Sequence, residues 1–147
     1  MSNAAYEHLQ AVSQGREPAN PFRVAWGVHE GMRGTKWFMI GSDGAVLVNH
    51  IKPTRGPAAP QRPTEVGKLA PDDVRTFCGI LCAMRFDLLQ PPPMEPSDVG
   101  QAEVELAVSL PNERFSLRCP SSKLSDLYGL DEIGRVFNEL RAKFPTT

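Results

Sequence analysis

One order of elements occurs twice in this chain: an alternating apolar hairpin followed by an amphipathic helix, at residues 36–86 and again at 102–144. Antiparallel hairpins close through short turns, whereas a buried parallel sheet needs continuous apolar strands joined by long crossovers. No strand–helix–strand stretch here has such strands. The pattern therefore predicts an α+β fold. It would be one antiparallel sheet of about five strands, in βββα-ββα order, with two long helices packed on one face and a short N-terminal helix besides.

The first hairpin carries the sharpest local signal. Apolar runs between Lys36 and Ile51 flank Ser42-Asp43-Gly44-Ala45, and Asp-Gly supplies the positive φ angles of tight hairpin turns. A two-residue loop pairs Ile40 with Leu47 and Met39 with Val48. Period-2 geometry then sets Phe38, Ile40, Leu47, Asn49 and Ile51 on one face, with Trp37, Met39, Val46, Val48 and His50 on the other. A four-residue loop keeps these sets; a three-residue loop changes the register. Both faces are apolar, which a sheet covered on one side does not require. Trp37, Met39, Val46 and Val48, with His50 at the strand end and Arg33 in the adjoining loop, are the candidate interaction residues. Their cover is either the N-terminal helix, through Tyr6, Leu9 and Val12, or a partner: another protein or a second copy of the chain.

Around this hairpin the organisation is simple. Ala5, Tyr6, Leu9 and Val12 mark a helix over 3–13, and Gly15 and Pro18 open a linker that runs to about residue 20. A single α+β domain follows over 21–147, beginning with a half-buried strand in which Phe22, Val24, Trp26 and Val28 alternate with Arg23, Ala25, Gly27 and His29. Residues 52–69 form a Pro-rich connection, with a P-x-x-P-x-R spacing from Pro57 to Arg62 that matches polyproline ligands but suits a semi-rigid surface link better. Pro71-Asp72-Asp73 opens a helix with Val74, Phe77, Cys78, Leu81 and Met84 as its buried stripe, and Pro91-Pro92-Pro93 ends the segment.

The second hairpin is one-sided. Val104, Leu106, Val108 and Leu110 alternate with Glu103, Glu105, Ala107 and Ser109, and Phe115, Leu117 and Cys119 alternate with Arg114, Ser116 and Arg118. Glutamates and arginines share the polar face and can pair across the strands. A last helix starts near Asp131 and buries Leu130, Ile133, Val136, Phe137, Leu140 and Phe144.

Charge and composition narrow the function classes. A formal net charge of −1 offers no electrostatic footprint for nucleic acid. No apolar run approaches a membrane span, and the first residues lack the basic start and apolar core of a signal peptide. Three cysteines at no framework spacing fit a reducing compartment, so the expected location is cytoplasmic.

Chemistry-bearing motifs are sparse. Cys78 and Cys82 are four apart on a helix and Cys119 is distant, which supplies no zinc set; the three read as buried thiols. No nucleophile elbow, phosphate-binding loop or dinucleotide fingerprint occurs, and Asp72-Asp73 and Asp131-Glu132 are explained by helix dipoles. The sequence thus points to no catalytic residue, no cofactor and no metal. The leading expectation is a non-enzymatic protein–protein interaction domain: an inhibitor, immunity-type or regulatory subunit. The alternatives are a small hydrolase or thiol enzyme using Cys82 or Cys119 with His50, and a small-ligand-binding domain.

The layout from 22 to 144 resembles that of emfourin-type bacterial inhibitors of metalloproteases and similar small bacterial domains. The resemblance rests on Phe22-Arg23-Val24, the Asp43-Gly44 turn, the stretch from Leu69 to Leu89, and Val104 to Cys119 before the last helix. It implies an α+β inhibitor acting by protein contact. The family's glycine-rich loop corresponds to His29-Glu30-Gly31-Met32-Arg33-Gly34, which differs from it, and no inhibitory residue is carried over.

Overall fold

The computed structural model describes residues 4–16, 21–52, 62–93, 95–96 and 100–144. Six strands form one antiparallel sheet: β1 (Arg23–His29), β2 (Thr35–Gly41), β3 (Ala45–Ile51), β4 (Thr64–Lys68), β5 (Glu103–Ser109) and β6 (Arg114–Pro120). Their spatial order is β4-β3-β2-β1-β5-β6. Three helices, α1 (Ala4–Ser13), α2 (Pro71–Ala83) and α3 (Tyr128–Lys143), contribute to one core on a single face of it. The α+β architecture matches the expectation. The strand count does not, because β4 lies inside the stretch read as a Pro-rich connection.

That strand was hidden for a physical reason. Thr64-Glu65-Val66-Gly67-Lys68 has one large apolar residue and no alternation to detect. It is an edge strand held by backbone pairing to β3, with a bulge opposite Val46 and Leu47. The side chain of Phe144 occupies the space that a Cβ on Gly67 would need, so the end of α3 packs directly on this edge. Of the P-x-x-P-x-R stretch, Pro57 to Gln61 lie outside the described residues.

The first hairpin adopts the three-residue loop. Ile40 pairs with Val46, Met39 with Leu47 and Phe38 with Val48, one residue away from the two-residue expectation. Gly44 takes a positive φ of 89°, its N–H bonds to the Gly41 carbonyl at 2.9 Å, and the Asp43 carboxylate accepts the Ala45 N–H at 3.0 Å. A single left-handed glycine closing a three-residue loop is the next commonest hairpin solution after the two-residue turns. It moves every β3 side chain to the opposite face.

The pairings line up continuous rows across the sheet. Facing the helices are Val48-Phe38-Trp26-Leu106-Leu117 and Val46-Ile40-Val24-Val108-Phe115, in the order β3 to β6. Trp26 stacks on Phe137 of α3 at 5.7 Å, and Phe38 and Phe77 meet the same ring edge-on. α1 packs against α2, burying Ala5, Leu9 and Val12 in this core. It does not cover the other face of the sheet, so the cover assigned to Tyr6, Leu9 and Val12 is on the wrong side. Helix α3 begins three residues before the expected Asp131, after a 3-10 stretch at Ser121–Asp126.

Candidate functional site

The helix-free face is built from four outward rows, one of them Gly41-Arg23-Ser109-Arg114. Of the others, one runs Asn49-Trp37-Gly27-Glu105-Arg118, the next Leu47-Met39-Ala25-Ala107-Ser116, and a third joins Ile51, Thr35, His29 and Glu103. Its β2–β3 half is apolar and its β5–β6 half is charged. Between them the middle of β1 carries only Ala25 and Gly27 on this face, and the flanking residues lean inward over them. Trp37 lies across Gly27, where an added Cβ would stand 2.6 Å from the indole ring. Ala25, Met39 and Ala107 form a small buried cluster with Trp37 and Leu47 packed on it. Tall neighbours over small ones make burial possible here without a helical cover.

The charged half centres on Glu105, whose side chain is only 7% exposed. One carboxylate oxygen accepts from His29 Nε2 at 2.8 Å; the other accepts from Ser116 Oγ at 2.7 Å and from Arg114 at 3.1 Å. His29 Nδ1 lies 2.8 Å from the Thr35 hydroxyl, accepting from it in the neutral imidazole and donating to it in the imidazolium. Arg118 bonds Glu103 at 3.0 Å and lies 3.7 Å from Glu105. Burial alone would raise the Glu105 pKa, but the bonds from Ser116 and His29 and the charges of His29 and Arg114 outweigh it and hold it below the usual carboxylate value. The pairing of glutamates with arginines follows the sequence expectation; the entry of His29 from β1 does not appear in it.

Thr35, His29 and Glu105 make a hydroxyl–imidazole–carboxylate chain, the order of groups that activates a nucleophile. None of the three lines the large cleft described below, and both imidazole nitrogens are engaged within the network. The arrangement keeps a buried carboxylate charged and fully bonded.

The candidate interaction residues are divided by the shifted register. Trp37 and Met39 stand on the helix-free face, whereas Val46, Val48 and His50 point to the helix side, so the four-residue apolar patch does not exist as one surface. Leu47 takes the place assigned to Val46 and Val48. Arg33 is exposed in a 3-10 turn at Gly31–Arg33, beside Met32, which is 94% exposed, and its carbonyl accepts from His50 Nε2 at 3.1 Å.

Three of the six do meet elsewhere. Trp37, Val48 and His50 line an open cleft of about 720 Å³ together with Lys36, Asn49, Arg62, Thr64 and Arg141. A second, smaller cleft of about 350 Å³ runs between α2 and α3, walled by Phe77, Ile80, Val136, Leu140 and Phe144. The sequence patterns give Lys36 and Arg141 no role, and Arg62 only a place in the P-x-x-P-x-R spacing. A signal for Lys36 was present: with His50 it falls in phase with the core-facing positions of β2 and β3.

The three cysteines are buried, and none forms a disulfide. Burial pushes the Cys78 thiol up to about 12, and burial with the nearby Asp87 carboxylate takes Cys82 to about 11. His50 sits on β3 and Cys119 on β6, with β2, β1 and β5 between them. That separates them by roughly 19 Å across the sheet and rules out a direct thiol–imidazole pair. Cys82 instead lies near the Tyr6 carbonyl, at 3.9 Å. Among the described residues, no three His, Cys, Asp or Glu side chains converge as a metal site, and no helix is long and apolar enough to cross a membrane.

Fold and surface together define a single-sheet α+β domain with one face under helices and, among the described residues, no helix on the other. No protein-family model matches the chain, and no curated protein matches it in sequence.

Proposed function

We propose that this chain is a non-enzymatic protein–protein interaction domain, an inhibitor or regulatory subunit, that binds through the helix-free face of its sheet. One observation carries the reading: Trp37, Met39 and Leu47 cluster over Ala25 and Ala107 on a face that none of the three helices covers. Aromatic residues, Met and Arg are enriched at interface centres, and the half-exposed Ile51 and the exposed Met32 and Arg33 extend the same end of the hairpin. The satisfied Glu105 network beside it supplies a polar margin that needs no rearrangement on binding.

A photo-crosslinking side chain at Leu47, compared with one at Tyr128 on the helical side, tests this in extracts of the source cell. A defined adduct from position 47, lost on Trp37→Ala and missing from position 128, is the expected result. Adducts from position 128 alone, or capture indifferent to Trp37→Ala, would overturn it. An adduct whose mass is twice that of the chain would make the partner a second copy.

A further inference from the structure

The third core-facing row of the sheet breaks the pattern of the other two. From β6 inward it runs Cys119, Val104 and Val28, and then becomes Lys36 on β2 and His50 on β3, which are direct cross-strand partners. Polar and charged residues at positions whose alternation marks them as core are costly to folding unless something uses them. Here they do not enter the core. They line the cleft of about 720 Å³ at the corner where the last turn of α3 brings Arg141 and the approach to β4 brings Arg62.

From this convergence we infer that the cleft binds a small polyvalent organic anion, bearing phosphate or several carboxylates. Lys36 of β2, Arg62 just before β4 and Arg141 of α3 reach it from three separate segments, and none of the described residues lining it is acidic. Lys36 has one carboxylate within reach, Glu30 at 3.5 Å, which stands outside the cleft; no described carboxylate pairs with Arg62 or Arg141. Asn49 and Thr64 add neutral hydrogen-bonding groups, and Trp37 and Val48 an apolar wall. The volume lies within the range of small-molecule sites, and a concave site lined by one sign of charge focuses field on its contents. A whole-chain charge of −1 argues for a compact anion over an extended polyanion such as nucleic acid. Arg141 also complements the negative end of the α3 dipole, but that role does not account for Lys36 and Arg62.

Calorimetric titration with sodium pyrophosphate and, separately, with citrate at constant ionic strength tests the site on the full chain. At least one should bind saturably at millimolar concentration or below and change the Trp37 fluorescence, since Trp26 is buried in the core. Preference between the two anions assigns the phosphate or the carboxylate chemistry. Arg62→Ala with Arg141→Ala, both at exposed positions, should weaken binding by about tenfold or more. Arg141→Lys should retain most of it, and Arg135→Ala, on a different face of α3, should leave it unchanged. Saturable binding of neither anion, or equal loss with Arg135→Ala, would overturn the inference. The outcome is separable from that of the partner-binding test: Trp37 borders both surfaces, but Arg62 and Arg141 lie outside the Met39–Ala107 cluster, and Leu47 lies outside the cleft.

Discussion

His29 and Glu105, 76 residues apart in the chain, meet at 2.8 Å on the face of the sheet that none of the described helices covers. The contact ties β1 to β5 outside the hydrophobic core, and it makes an ionisable pair part of the structure on which the proposed binding face rests.

Acid should therefore weaken this protein through Glu105. Its folded carboxyl titrates below the ordinary value of 4.5, so its stabilisation is fully present above that pH and is lost as pH falls through the depressed folded value. Glu105→Gln removes that charge and leaves bonds of His29, Ser116 or Arg114 unmade, costing about 1–3 kcal/mol at neutral pH. Urea unfolding of both proteins from neutral pH to below 4.5 checks it. The two stabilities should converge in acid, and a constant gap would refute the assignment.

Gly134→Ala should destabilise, against the usual helix preference. Alanine gains about 1 kcal/mol over glycine inside a helix. At Gly134 the new Cβ would stand 2.8 Å from the Trp26 ring, which is buried and stacked on Phe137. Overpacking of a core costs about 1–3 kcal/mol, so the net change is a loss. A raised thermal midpoint would mean that Trp26 yields without cost.

Leu9→Ala tests whether α1 belongs to the core. Leu9 is fully buried between α1 and the rest of the core cluster. Removing its side chain should cost about 2–5 kcal/mol in chemical denaturation. A change within experimental error would show that α1 is dispensable, and removal of residues 1–18 would then leave a folded domain.

Native thiols should react slowly. With its pKa pushed up to about 12, Cys78 is thiolate in roughly one molecule in ten thousand at pH 8. Ellman's reagent should label Cys78 and Cys119 only at the rate at which the fold opens, and immediately in denaturant. Rapid labelling of either in the native state would contradict the packing.

Much of the architecture was legible in the residues because burial leaves a periodic trace. The α2 stripe from Val74 to Leu81 and the one-sided hairpin from Glu103 to Cys119 are where their spacing puts them. Strand β4 left no trace, since an edge strand paired through its backbone needs few apolar side chains. The candidate site fared worse for a related reason: its make-up turned on a single residue of loop length.

By itself the sequence determined the α+β class, the antiparallel pairing, the helix faces and the buried thiols, because each follows from local periodicity and turn chemistry. Tertiary structure decided the register of the first hairpin, and with it which of Trp37, Met39, Val46, Val48 and His50 share a surface. Asp43-Gly44 is compatible with two loop lengths, and the choice depends on packing beyond the turn, where Leu69 donates to the Gly44 carbonyl at 2.8 Å. It also decided that His29 meets Glu105 and that Lys36, Arg62 and Arg141 meet at one corner. Those contacts join residues far apart in the chain, and local spacing carries no record of them.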